Sequence, residues 1–133
     1  MADAPVLRAV ICEDEALIRM TLKLMLTEMG CDVVGETAYG EEAVTLAGAH
    51  KPDVVFLDIR LKDDVDGVEA ALRINALCDA AIVFMSAYDY DDRIRATGLK
   101  RIAAIVSKPF LESRIDAALK GVSDVLGRPP VSG

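Results

Sequence analysis

The chain has 133 residues, 53% of them apolar and 28% charged, which is enough to bury one core and too apolar to remain disordered. A net charge of −7 and a pI near 4.6 exclude the basic face that a phosphate backbone needs, so no direct nucleic-acid partner is expected. Clustered carboxylates would suit a bound metal cation instead.

The chain then alternates short β-rich runs with longer helical ones. Leu7–Cys12 (LRAVIC) reads as a first strand, closed by Glu13, Asp14 and Glu15. So short an apolar run is neither a signal peptide nor a membrane span, so no membrane insertion is expected and the cytoplasm is the default location. Ala16–Met29 reads as a helix with Leu17, Met20, Thr21 and Leu24 on one stripe, and Gly30 stops it. Cys31–Glu36 is a weaker second strand. Gly40–Ala49 follows as a helix with two glutamates in its first turn, where the helix dipole favours them.

Pro52 precedes the clearest buried strand, Asp53–Asp58 (DVVFLD). The next helix, Asp66–Leu77, opens with Asp66-Gly67-Val68-Glu69, the spacing of a capping box. Ala81–Met85 is a fourth strand, Tyr90–Thr97 a poorly patterned helix and Ala103–Val106 a short fifth strand. The last helix, Leu111–Leu126, carries Leu111, Ile115, Ala118, Leu119, Val122 and Leu126 on its buried stripe. The segment GRPPVSG cannot continue it, so residues 1–126 read as one domain and 127–133 as a flexible tail. Cys12, Cys31 and Cys78 lie far apart with no CxxC or Cys/His pattern, and read as idle thiols of a reducing compartment.

Five strands alternating with five helices imply an α/β fold, a parallel sheet wrapped on both faces by right-handed crossovers. Ligands of such sheets bind beyond the carboxyl ends of the strands. Glu13 and Asp14 stand at that end of the first strand, Asp58 of the third, Ser86 of the fourth and Lys108 of the fifth. Three crowded carboxylates repel unless a cation neutralises them, and Mg²⁺ suits oxygen ligands while keeping water for its remaining positions. Such an ion, Lys108 and the Ser86 hydroxyl would each meet one peripheral oxygen of a phosphoryl group attacked by Asp58. Singly, each residue has a plainer meaning: Glu13, Asp14 and Glu15 as helix caps, Asp58 as a loop acid, Lys108 as a surface charge. Only their joint occurrence at successive strand ends is specific.

The runs ICEDE (11–15), VVFLDIRL (54–61), DG (66–67), FMSAYD (84–89) and IVSKPF (105–110) resemble, in order and spacing, the signature blocks of two-component response-regulator receiver domains. The resemblance covers about Leu7–Leu126 and is to the chemotaxis-type, single-domain form. It implies the flavodoxin-like strand order 2-1-3-4-5, shared by a chemotaxis receiver, so that order comes from the resemblance and not from the residues. It implies Asp58 as phosphoacceptor and Mg²⁺ held by Asp14, Asp58 and the backbone carbonyl of Arg60, with Glu13 acting mainly through metal-bound water. Ser86 and Lys108 would each bind a phosphoryl oxygen, and the Lys108–Pro109 peptide would be cis. The implied partners are a sensor histidine kinase or phosphotransfer protein as donor and a downstream protein as target, with a dimer formed on phosphorylation among the implied states. The donor is expected at the first helix, where Ile18 and Leu22 are candidates for an exposed apolar contact or simply core. His50 closes the second helix and is no donor.

Three departures stand out. Asp58 to Asp66 is one step longer than the usual spacing, lacks the usual proline and contains Asp63 and Asp64, read as solvated loop in preference to added negative charge near the metal site. The position three before Lys108, usually Tyr or Phe, is Ile105, leaving Tyr88 or Tyr90 as candidate reporters beside ordinary loop packing. The fourth helix has little apolar periodicity. Two other classes compete with the phosphoacceptor switch: an interaction module that needs no phosphate, and a phosphohydrolase with an aspartate nucleophile. The hydrolase needs a general acid two residues after Asp58, where Arg60 stands and cannot protonate a leaving group. A nucleotide-binding loop is disfavoured, because EDEA would repel phosphate where glycine and hydroxyl groups should cradle it.

Overall fold

The computed structural model describes residues 6–61, 64–87, 94 and 98–128. In chain order these form β1 (Arg8–Cys12), α1 (Ala16–Glu28), β2 (Asp32–Thr37), α2 (Gly40–His50), β3 (Val54–Asp58), α3 (Gly67–Leu77), β4 (Ala81–Ser86), β5 (Ile102–Ser107) and a C-terminal helix, here α4 (Glu112–Leu126). The helix expected over Tyr90–Thr97 lies outside the described residues except Ile94, which is helical and buried. Tyr88, Tyr90, Asp63 and most of the expected tail also lie outside them. Among the described residues no helix is long and apolar enough to cross a membrane.

All five strands pair in parallel in the order β2-β1-β3-β4-β5, as the resemblance implied. The central strands β3 and β4 are buried at every residue, because helices cover both faces. Alternation along them splits the core in two. Val54, Phe56, Val83 and Met85 face α1 and α4, while Val55, Leu57, Ile82 and Phe84 face α2 and α3.

The helices form where their caps and stripes predict, with one inversion. Asp66 caps α3 by accepting the Glu69 N–H at 3.0 Å. Ile115, Ala118, Leu119 and Val122 of α4 are buried, whereas Leu111 is 60% exposed as the residue before the helix. On α1 the buried face is the opposite of the expected stripe. Leu22 and Leu26 are fully buried with Ile18, Met25 and Met29 at their edge, while Leu17, Met20 and Leu24 face solvent. Both stripes have helical spacing, but the buried one is longer and runs the whole length of the helix, so it covers more of the sheet. Leu22 is core and not an exposed contact.

Parallel strands bring their carboxyl ends to one rim. Asp58 pairs with Met85 and Ser86 with Ser107, which places Asp58, Ser86 and Lys108 at successive strand ends.

Candidate functional site

The upper rim gathers every sequence-predicted site residue around a cleft of about 310 Å³ lined by Asp14, Asp58, Arg60, Ser86 and Lys108. Glu13 is fully buried behind Lys108, with which it pairs. Asp58 and Ser86 are each 5% exposed, so the cleft opens onto groups that are otherwise out of solvent.

Asp58 is held at both oxygens. Oδ1 accepts the Arg60 N–H at 3.0 Å and Oδ2 lies 2.7 Å from Lys108 Nζ. The strand itself fixes the backbone there, with Ile59 N–H donating to the Met85 carbonyl and Gly67 N–H to the Ile59 carbonyl. Gly67 has no room for a side chain, since a methyl group would overlap the Asp58 carbonyl oxygen. The start of α3 therefore rests directly on the strand end.

Lys108 reaches inward from the turn after β5. Its Nζ is 2.6 Å from Glu13 Oε2 as well, and its backbone N–H donates to the Ser86 carbonyl at 2.8 Å. The following peptide, Lys108–Pro109, is cis. Burial pulls the Lys108 ammonium down, but the Asp58 and Glu13 carboxylates outweigh it and hold the group above its usual value. Glu13 moves the other way for an acid. Burial, reinforced by the nearby Asp58 charge, pushes its carboxyl up to about 7 against the opposing pull of Lys108 and the Glu15 N–H.

Carboxylate oxygens of Glu13, Asp14 and Asp58 all lie within 4.8 Å of one another. Lys108 pairs with two of these three acids, Glu13 and Asp58, so the cluster keeps a local excess of negative charge that a hard divalent cation would relieve. Glu13 Oε2 is buried, and its contact with Lys108 is ionic, without a well-aligned donor. The donor set is all oxygen, as Mg²⁺ requires, and the cleft leaves space for water on its open side.

Outside this cluster, one group was not foreseen from the sequence. Arg19 of α1 donates from Nη1 to the Glu13 carbonyl at 2.6 Å and lies 3.5 Å from Glu36 on β2. Lys23 sits 2.6 Å from the same glutamate, and with Arg19 it holds the Glu36 carboxyl below the usual range. The available signal was a basic i,i+4 pair on the flank of α1, facing a lone acid near the end of a strand. Of the departures, Asp64 is exposed, as a solvated loop acid should be, and Ile105 is 41% exposed on β5.

Comparison with known proteins supplies the relationship. Residues 9–120 match the family described as response regulator receiver domain. The chain is similar to the transcriptional regulatory protein PdtaR of Mycobacterium tuberculosis, 42% identical over 120 residues, covering 90% of this chain and 58% of that protein. It is 32% identical to the chemotaxis protein CheY of Thermotoga maritima, covering 87% of this chain and 97% of that one. Among solved structures, it resembles the signal receiver domain of a modulated diguanylate cyclase from Desulfovibrio desulfuricans, with a TM-score of 0.82 and 28% identity over 92% of this chain and 98% of that one. The chain spans little more than half the length of the mycobacterial regulator.

Proposed function

We propose that this chain, which belongs to the receiver domains of two-component response regulators, serves phosphorelay signalling as a switch whose phosphoacceptor is Asp58. The observation that carries this reading is the pairing of Lys108 Nζ with Asp58 Oδ2 at 2.7 Å, beside the carboxylates of Glu13 and Asp14, at a cleft that Asp14, Asp58 and Lys108 line. In this reading residues 1–126 are the receiver and 127–133 its tail, and the protein works in the cytoplasm.

Asp58 attacks the phosphorus of a phosphohistidine on a kinase or phosphotransfer partner. The O–P bond forms as the donor's N–P bond breaks, and the electron pair stays with the imidazole. Asp14, Asp58 and the Arg60 carbonyl would hold Mg²⁺, with Glu13 acting mainly through metal-bound water, and the ion would supply positive charge to the phosphoryl oxygens. Lys108 meets a second oxygen with its ammonium, and the Ser86 hydroxyl donates to a third. Because both Asp58 oxygens are already engaged, the nucleophile is oriented before the donor arrives. The substrate is the chain itself, so the activity is that of a regulatory phosphoacceptor; Arg60 leaves no general acid for a hydrolase.

Phosphorylation adds about −1.5 to −2 of charge at Asp58. That charge draws Lys108 from Glu13 and recruits Ser86. The Lys108 N–H to Ser86 carbonyl bond couples the two moves, so the loops beyond β4 and β5 respond together. Ile105 cannot act as a swinging ring, and the signal passes through this backbone link to a partner protein or a second copy on the β5 side. The donor docks on α1 through Leu17, Met20 and Leu24, which are 76%, 57% and 63% exposed, beside an apolar groove of about 460 Å³ reaching Pro109 and Phe110.

Incubation with acetyl phosphate and Mg²⁺, followed by intact mass measurement, tests the reading. Wild type gains one phosphoryl group and Asp58→Asn gains none. Ile105 favours one second reading, an interaction module that needs no phosphate. An unlabelled wild type, beside an active control receiver, decides for that module.

A further inference from the structure

We infer that Arg19 is a positioning residue for the acidic cluster: it fixes the peptide between Glu13 and Asp14, and so sets where the Asp14 carboxylate stands. The inference rests on the magnesium reading above.

Arg19 lies in the first turn of α1, where its own N–H donates to the Glu15 carbonyl at 3.0 Å. Its guanidinium works in two directions. Nη1 donates to the Glu13 carbonyl at 2.6 Å, and Nε lies 3.5 Å from Glu36 Oε1. Lys23, one turn later, places Nζ 2.6 Å from Glu36 Oε2. Glu36 therefore has a cation at each oxygen. The next residue on β2, Thr37, accepts the Glu13 N–H at 3.0 Å.

Both backbone polar groups of Glu13 are thus tied to β2, one directly and one through a guanidinium that β2 itself restrains. The Glu13 carbonyl shares a rigid plane with the Asp14 N–H and Cα. It cannot turn without carrying the Asp14 side chain with it. A planar, forked guanidinium holds a carbonyl and a carboxylate at the same time, whereas an ammonium on a flexible stem holds them less well. The Arg19 side chain is 20% exposed and that of Glu36 33%, so the brace is shielded without being sealed. Groups that orient ligands from behind commonly change metal affinity by about 10–100-fold when removed.

Two alternatives predict different results. A brace that only fastens α1 to the sheet would leave cation affinity alone. A field effect would tighten Mg²⁺ binding when a cation is deleted near three acids. The experiment is an Mg²⁺ titration of the full chain, followed by amide chemical shifts, with thermal unfolding recorded without Mg²⁺. The variants are Arg19→Ala, Arg19→Lys and Arg19→Ala/Glu36→Ala, the last removing one charge of each sign. We expect about tenfold weaker Mg²⁺ binding for Arg19→Ala and for the double variant, and a smaller loss for Arg19→Lys. Arg19→Lys keeps the charge and much of the packing, so its loss decides the matter if alanine does not fold. A lowered melting temperature with Mg²⁺ affinity at the wild-type value in every folded variant overturns the inference alone, as does tighter binding. A wild type that binds no Mg²⁺ overturns the magnesium reading and this inference with it.

Discussion

The two rims of the sheet use similar residues for opposite ends. At the lower rim Asp53 accepts the Arg8 N–H at 2.8 Å and pairs with Arg128 at 2.8 Å. The Arg8 side chain donates to the His50 carbonyl, Lys51 to the Leu77 carbonyl, and Arg101 to the Asn75 and Cys78 carbonyls. There cations close the ends of α2 and α3, and the acid is matched. At the upper rim the carboxylates of Glu13, Asp14 and Asp58 crowd together, and Lys108 pairs with two of them, Glu13 and Asp58. The lesson is that charged residues alone do not mark a reactive site; an unbalanced count of them around a cleft does. Matched charges hold the fold, and mismatched ones wait for something to arrive.

Changing the balance at each rim is the way to break this comparison. The largest effect is expected for Lys108→Ala, which strands Glu13 and Asp58 without their shared cation. We expect a loss of about 3 kcal/mol in denaturant unfolding at pH 8, and no labelling by acetyl phosphate. The loss shrinks at pH 6, where Glu13 takes up a proton and removes one of the stranded charges. Asp14→Asn should act in the opposite sense. Relieving like-charge repulsion stabilises the metal-free protein by about 1 kcal/mol while weakening Mg²⁺ binding, both readable by unfolding with and without Mg²⁺.

The pH dependence follows from Glu13. Its carboxyl lies at about 7 in the folded chain against an ordinary value of 4.5, so between those values the folded state holds more protons than the unfolded one. The contribution of Glu13 to stability is therefore greatest below about pH 4.5 and is lost as pH rises through about 7. Metal binding has the reverse trend. Mg²⁺ affinity should climb from pH 6 to pH 8 as Glu13 ionises, and a titration at the two pH values checks it. The smallest effect belongs to the lower rim. Arg128→Ala removes a partly exposed ion pair and should cost about 0.5 kcal/mol in denaturant unfolding, with labelling unchanged.

Much of this is legible in the amino-acid sequence. The run DVVFLD gave the central strand because burial on both faces demands a continuous apolar stretch, and its last residue had to stand at the rim. Asp66 with Glu69 announced the start of α3, and strand ends alone brought Glu13, Asp14, Asp58, Ser86 and Lys108 together. Orientation was harder. In α1, Leu17, Met20 and Leu24 have the same spacing as Ile18, Leu22, Met25 and Met29, so periodicity showed two apolar faces without ranking them. Counting members of each face would have favoured the second. The Arg19–Glu36 contact was not legible, because it joins residues of two elements whose register depends on the finished sheet. Strand order likewise comes from the resemblance, since alternation constrains handedness but leaves more than one order open.

The central claim is that the excess of acid around Lys108 makes Asp58 the group that carries phosphate. The most direct measurement is to label the wild-type chain with acetyl phosphate and Mg²⁺, reduce the acyl phosphate with borohydride, and locate the modified residue by peptide mass spectrometry. Conversion to homoserine at position 58 is the predicted result. Conversion at another carboxylate, or labelling of Asp58→Asn equal to wild type, would contradict it.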